Sequence, residues 1–249
     1  MKTWILLRGL ARESGHWGAF TGQFARAMPG CEVLALDLPG NGHLYQQASP
    51  LRVPDMVAHC RAELARRQIC GPVHLLGMSL GAMVAVAWSA AYPMEVAAQV
   101  LINTSLRPFS PFTQRLRPQN YGLLLKLALL GASPVEWERS ILRITSQGGQ
   151  DAVLPHWQAL RALHPVTRAN ALRQLLAAAR YRAPVALSTP TLLLASAQDQ
   201  LVAIACSQAL ARQWQCRLQM HPTAGHDLPL DDGDWVAQQI ASAYALCNP

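Results

Sequence analysis

The chain has 249 residues, 51% of them hydrophobic and 14% charged. That composition excludes a disordered or low-complexity polymer and supplies material for one core, or one core carrying a sizeable insertion. Sixteen Gly and 17 Pro fall without a period, which excludes collagen-like and repeat arrays. Lys and Arg (21) outnumber Asp and Glu (14) for a net charge of +7. Such a balance suits nucleic acid, an anionic membrane or acidic partners, so its location matters more than its sum.

The apolar run at the start, Trp4 to Leu7, is cut by Arg8 with no small-residue cleavage site after it, a poor signal peptide. The cysteines at 31, 60, 70, 206, 216 and 247 form no C-x-x-C pair. Reduced, mostly packed thiols in a cytoplasmic protein are therefore expected. Candidate strands are Thr3–Leu7, Val33–Leu36, Val73–Leu76, Val100–Asn103, Thr191–Ala195 and Arg217–Met220. Helical stretches Pro54–Gln68, Leu80–Tyr92, Ile204–Trp214 and Asp234–Leu246 separate them, a rhythm that predicts a parallel sheet covered on both faces. The 25 residues from Cys70 to Met94 carry no formal charge and are long enough to span a bilayer. Pro72, His74, Gly77, Ser79, Gly81 and Pro93 within them suit a sharp turn between buried elements better, and no membrane span is expected.

Residues 105–187 break the rhythm and read as helix alone, a helical lid inserted between two strands of a core made of 1–104 and 188–249. Ser133-Pro134-Val135-Glu136 is a capping box with Pro at the first helical position, and this helix should stop near Gln147-Gly148-Gly149. A second helix is predicted over Arg168–Tyr181, with Leu172, Leu175, Leu176 and Ala179 as its apolar stripe. A third, Gly122–Leu130, carries Leu123 and Leu127, which are candidates to line an acyl pocket or simply to pack the lid. Residues 105–189 hold eleven basic and three acidic residues, a net of +8, against ten and eleven elsewhere, a net of −1. The excess charge is thus either a solvated helix surface or a functional one.

Gly77-Met78-Ser79-Leu80-Gly81 is a G-x-S-x-G motif between a strand and an Ala-rich helix, the context of a nucleophile elbow. A strained turn lifts the Ser79 hydroxyl clear of the sheet, and its tightness demands glycine on either side. The helix that follows aims free N–H groups at charge developing in acyl transfer. Serine needs a base. Of eight histidines, His226 lies in Thr223-Ala224-Gly225-His226-Asp227, a loop after the last strand, where it reaches over the carboxyl ends of the strands. His221 is held by the strand before it and Pro222 after it, and His74, inside a strand, reads as a satisfied core residue. Asp199, just past Thr191–Ala195, is the candidate carboxylate to orient the imidazole, or else a helix cap. The order Ser79, Asp199, His226 is that of an α/β-hydrolase triad.

With Leu6-Leu7-Arg8-Gly9-Leu10, Asp37-Leu38-Pro39-Gly40-Asn41-Gly42, the elbow, Asp199 and Gly225-His226 in order, nearly the whole chain resembles the α/β-hydrolase superfamily. The resemblance implies an oxyanion hole from the backbone N–H groups of Leu80 and Leu10, each typically worth about 3–4 kcal/mol in the transition state. It also implies a mostly parallel, doubly wound sheet of about six strands, lacking the family's edge hairpin. Relatives usually carry His-Gly where Arg8-Gly9 stands, and two roles are open to Arg8: bonding loop carbonyls, or contacting substrate. A serine nucleophile excludes haloalkane dehalogenases and epoxide hydrolases, whose nucleophile is Asp. It leaves carboxylesterases first, with thioesterases, lactonases, carbon–carbon bond hydrolases and acyltransferases sharing the triad. The lid is similar to that of esterases of carrier-protein-bound acyl chains, such as pimeloyl-acyl-carrier-protein methyl ester esterases, and its +8 charge suits an acidic carrier.

A small-molecule or acyl-carrier-linked ester is therefore the expected substrate. A ligand receptor on the same fold is the reading from another class. Gly40-Asn41-Gly42 lacks the third glycine of a dinucleotide fingerprint, and no H-E-x-x-H or paired C-x-x-C occurs, so no cofactor and no metal are expected. The Arg-rich segment lacks interleaved aromatics, so no nucleic-acid partner is expected. Oligomeric state is open.

Overall fold

Successive strand residues divide between two buried layers. Trp4, Leu6, Leu76, Val100, Ile102, Leu192 and Leu194 pack on one face with Phe20, Phe24, Val236 and Ile240. Ile5, Leu7, Leu75, Leu101 and Leu193 pack on the other with Met56, Val57, Val84 and Leu210. This period of two with neither face wet is what a parallel sheet between helices requires. The computed structural model describes residues 2–129, 133–148 and 150–245. Leu130, Gly149, Leu246 and Cys247, which enter the readings above, lie outside them.

Six strands, Lys2–Leu7 (β1), Cys31–Leu36 (β2), Val73–Met78 (β3), Val96–Ile102 (β4), Thr191–Ser196 (β5) and Arg217–His221 (β6), form one sheet in the order β2-β1-β3-β4-β5-β6. Every pairing is parallel, as expected. The helices are α1 (Phe20–Ala27), α2 (Val53–Arg66), α3 (Leu80–Ala91), α4 (Phe112–Arg115), α5 (Tyr121–Leu129), α6 (Pro134–Thr145), α7 (Gln150–Leu163), α8 (Arg168–Arg180), α9 (Ala205–Trp214), α10 (Leu228–Asp231) and α11 (Gly233–Ala245). The uncharged Cys70–Met94 stretch contains β3 and α3, which are buried over most of their length, while its ends at Cys70 and Met94 are exposed. Among the described residues no helix is long and apolar enough to cross a membrane.

Between β4 and β5 the described residues form helices α4 to α8. The capping box holds: Ser133 Oγ accepts from Glu136 N at 3.2 Å, and the Glu136 carboxylate accepts from Ser133 N at 2.9 Å. α7 contains Pro155 within it and is not among the helices expected from pattern, since proline normally argues against a helix interior.

The stripe expected for α8 is corrected. Leu172 and Leu175 are 57% and 42% exposed, while Asn170, Gln174 and Ala177 are buried. Over its first turns α8 covers a loop full of main-chain polar groups, and only its C-terminal part, with Ala177 and Ala178, joins the apolar core. Gln174 Oε1 accepts from Ala11 N at 2.8 Å, and its amide donates to Asn41 Oδ1 at 2.8 Å and Ser49 Oγ at 2.9 Å. Asn170 Oδ1 accepts from Ser49 N at 2.9 Å and its amide donates to Gln47 O at 2.9 Å. Buried amides must be paired, so polar residues take the inner face.

A second polar seam joins the 11–17 loop to α6 and α7. Glu138 accepts from Arg12 at 2.6 Å and from Arg161 at 3.1 Å. Glu13 lies 2.7 Å from His164 Nδ1, and Arg12 stacks 4.2 Å above the Trp157 ring. Other arginines of the segment donate to carbonyls: Arg107 to Ala179, Arg115 to Ala178, Arg117 to Asp199 and Arg173 to Ser49. Part of the +8 is therefore engaged in holding these helices to one another and to the loops at Ser49 and Asp199.

Candidate active site

Ser79 sits between β3 and α3 at φ 54°, ψ −112°, a conformation that a non-glycine residue holds only when its surroundings impose it. The flanking glycines show why. A Cβ on Gly81 would lie 2.1 Å from Leu7 O, and one on Gly77 would lie 2.6 Å from Ala82 Cα. Ser79 itself is half-buried. Gly9 adjoins it, since a Cβ there would be 3.3 Å from Ser79 Cβ and 3.8 Å from Oγ. The N–H groups of Leu80, first residue of α3, and of Leu10 bond no acceptor among the described residues. Both N–H groups expected for an oxyanion hole are therefore without a protein acceptor among the described residues.

Asp199, at the end of β5, accepts His226 Nδ1 at 2.7 Å, with the two side chains 2% and 4% exposed. Its other oxygen accepts from Leu201 N at 2.7 Å and Val202 N at 2.9 Å. The residue thus caps a turn as well as bonding the imidazole, but it caps no helix, since the N-cap of α9 is Ile204. Ser79 and His226 hang from consecutive residues. Ser79 N bonds Ile102 O at 3.0 Å, and the side chain of Asn103, itself at φ 44°, donates to His226 O at 2.8 Å and Gly225 O at 3.2 Å. Asn103 also bonds Ser196 N at 2.8 Å, so one amide ties the ends of β4 and β5 to the histidine loop. Among the described residues the Ser79 hydroxyl makes no hydrogen bond. Catalytic bonds of this kind commonly tighten only with substrate present.

Asn103 escaped the sequence reading. Its only signal was a polar residue at the end of an apolar strand. A second feature that escaped it is the partner of Arg8, which bonds no carbonyl among the described residues but forks onto the Asp227 carboxylate, Nη1 to Oδ1 at 3.0 Å and Nη2 to Oδ2 at 2.5 Å. The His226 loop is further fixed from α6: Thr145 O accepts from Asp227 N at 2.6 Å, while Asp231 accepts from Gly225 N at 2.6 Å and from Gln147 N at 3.0 Å. On α5, Leu127 is buried and Leu123 half-buried.

The rival histidines are occupied elsewhere. His221 accepts from Ala224 N at 2.9 Å and faces Asp232 at 3.2 Å. His74 is core, 4.9 Å from the Trp4 ring, but its Nδ1 has no partner, so it is buried without being satisfied, and burial pushes its pKa down. Among the described residues no cluster of His, Cys, Asp and Glu could hold a metal ion.

Comparison with known proteins identifies the family to which this fold belongs. The sequence matches the Alpha/beta hydrolase family over residues 4–239. RutD of Klebsiella pneumoniae (strain 342), whose name assigns it carbamate hydrolysis provisionally, is 30% identical over 98% of this chain and 92% of its own length. The biotin biosynthesis bifunctional protein BioHC of Cellvibrio japonicus is 28% identical over 89% of this chain and 43% of its own. Among solved structures, a thermophilic esterase from Thermogutta terrifontis superposes with a TM-score of 0.78 at 20% identity, covering 100% of this chain and 91% of that one, a likeness of fold.

Proposed function

The chain belongs to the alpha/beta hydrolase family, and from that premise we propose that it is a serine hydrolase of carboxylic esters. The observation that carries the reading is the buried 2.7 Å Asp199–His226 pair, whose loop is tied through Asn103 to the strand end that also bonds the strained Ser79, with the Leu80 and Leu10 amides unpaired among the described residues. Ser79 Oγ attacks the ester carbonyl as His226 Nε2 takes its proton. Asp199 holds Nδ1–H, fixing the tautomer and favouring the imidazolium that forms. The Leu80 and Leu10 amides receive the oxyanion. His226 then protonates the departing alcohol, and water, activated by the same imidazole, releases the acid from the acyl-enzyme.

The helices between β4 and β5 serve in this reading as a lid over the site, with Leu123 and Leu127 of α5 turned to the acyl chain. Lys126, Arg139, Arg143, Arg168, Arg180 and Arg182 remain exposed on them. They support an acidic, carrier-linked acyl ester as substrate. Such a substrate should be cleaved faster at low salt, while its small-ester analogue shows no such gain. A carbamate is the second reading, favoured by the 30% identity to RutD, and uses the same attack on a carbonyl.

The decisive measurement is turnover of p-nitrophenyl butyrate by wild type and Ser79→Ala, run beside a thioester, a lactone and a carbamate. Loss of at least about a thousandfold in kcat is expected for Ser79→Ala. An unchanged rate would remove the mechanism. Covalent labelling of Ser79 by a fluorophosphonate without multiple turnovers of any of these compounds would favour a receptor instead.

A further inference from the structure

Arg8 and Asp227 are 219 positions apart in sequence, and their side chains are 2% and 3% exposed. The guanidinium also lies 4.9 Å from the centroid of the buried Trp17 ring, so the fork is confined between an aromatic surface and a carboxylate. The sequence neighbours of the pair give it meaning. Arg8 immediately precedes Gly9, which abuts Ser79, and Leu10, whose amide is free. Asp227 immediately follows His226.

Other contacts tie each of these loops to the helical segment: Ala11 to Gln174 on α8, and Asp227 N to Thr145 on α6. The Arg8–Asp227 fork ties the two loops to each other. Two parallel N–H···O bonds fix angle as well as distance. Buried ion pairs contribute little net stability, because desolvation offsets attraction.

Resting on the serine esterase reading above, we infer that Arg8 and Asp227 are positioning residues that set the oxyanion-binding loop and the histidine loop in register over Ser79. The pair touches no substrate. It acts by holding the Leu10 amide and the His226 ring at a fixed separation, so that proton transfer and oxyanion capture are served by one geometry. Its loss should appear in kcat and spare ground-state binding of the ester.

The test compares Arg8→Lys, Arg8→Met, Asp227→Asn and the double variant Arg8→Met/Asp227→Leu with wild type and Ser79→Ala on p-nitrophenyl butyrate. Arg61→Met, which breaks the part-exposed pair with Glu95, serves as the charge control. A drop in kcat of about tenfold to a hundredfold is expected in the single and double variants, with KM within about threefold of wild type. Arg61→Met should keep wild-type kinetics. The double variant replaces both charges by apolar groups and should keep its melting temperature, so a low kcat there reflects placement rather than unfolding. Where a single variant fails to fold, the double variant and Arg8→Lys decide. A double variant or Arg8→Lys with wild-type kcat overturns the inference, as does a raised KM with intact kcat, which assigns Arg8 to substrate. Ser79→Ala as active as wild type removes the ester reading itself. Ser79→Ala inactive beside a fully active double variant removes only this inference.

Discussion

Gly81 shows how tightly single residues are specified around Ser79. Its missing side chain makes room for the carbonyls of Leu7 and Arg8, which a Cβ would approach to 2.1 and 2.7 Å. Both belong to or adjoin a central strand that cannot yield. Gly81→Ala is therefore expected to destabilise by about 3 kcal/mol, read as a shift in urea midpoint, with activity falling as the elbow distorts. Gly122→Ala on α5, where an added Cβ meets nothing within 4 Å, should instead stabilise by about 0.4–1 kcal/mol. The proposed catalytic trio can be named from sequence because each member has a local signature: glycines flanking a serine, an aspartate just past a strand, a histidine in a Gly-containing loop. The partner of Arg8 was not, because nothing near residue 8 announces a carboxylate at 227. Asn103 was hidden likewise, since its four bonds all run to distant chain segments or loops.

At the level of elements, all six strands and the helices α5, α6 and α8 of the inserted segment can be read from pattern, because alternation, helical periodicity and the Ser133 capping box with its proline are local. β4 begins at Val96 rather than Val100, as its early residues include Ala97, Ala98 and Gln99. Gln99 is accommodated in the sheet by bonds to Ser89 at 3.1 Å and Thr191 at 2.9 Å. α8 was misread in orientation although its limits were right. Periodicity reports which face is apolar and cannot report that the surface awaiting the helix is a polar loop. The inversion has a measurable consequence. Gln174→Leu strands the buried Ala11 N–H and Asn41 Oδ1, and should cost about 2–3 kcal/mol. Leu172→Gln on the exposed side should stay within about 0.5 kcal/mol. Urea unfolding of both variants distinguishes the two faces, and equal costs would contradict the packing described.

For the molecule as a whole, the seam between the 11–17 loop and α6–α7 makes stability depend on pH. Burial, reinforced by Arg12 and Arg8, holds the His16 imidazole well below the usual 6.5, and burial raises the Glu13 carboxyl above 4.5. Both His16 nitrogens face N–H donors, Glu13 N at 3.1 Å and Arg12 Nη1 at 3.1 Å, so an imidazolium would have nothing to donate to. Below pH 6.5 the unfolded chain takes up a proton at this site while the folded chain does not. Stability is thus complete above 6.5 and declines as pH falls toward the lowered folded value. Glu13 works in the opposite sense: its folded carboxyl holds a proton at higher pH than the unfolded one, which regains stability as pH falls through its raised value toward 4.5. From pH 6.5 to about pH 5, where the unfolded His16 takes up its proton and the folded one does not, the melting temperature should fall, and His16→Gln should flatten that slope. An unchanged slope in the variant would place the acid sensitivity elsewhere. The last turn of α6 has a consequence for engineering. Through Thr145 and Gln147 it clasps the stretch that carries His226, so the insertion is no interchangeable cassette. A chimera that imports another homologue's helices would need to bring matching residues for 225–231, or it would leave the base without its seat.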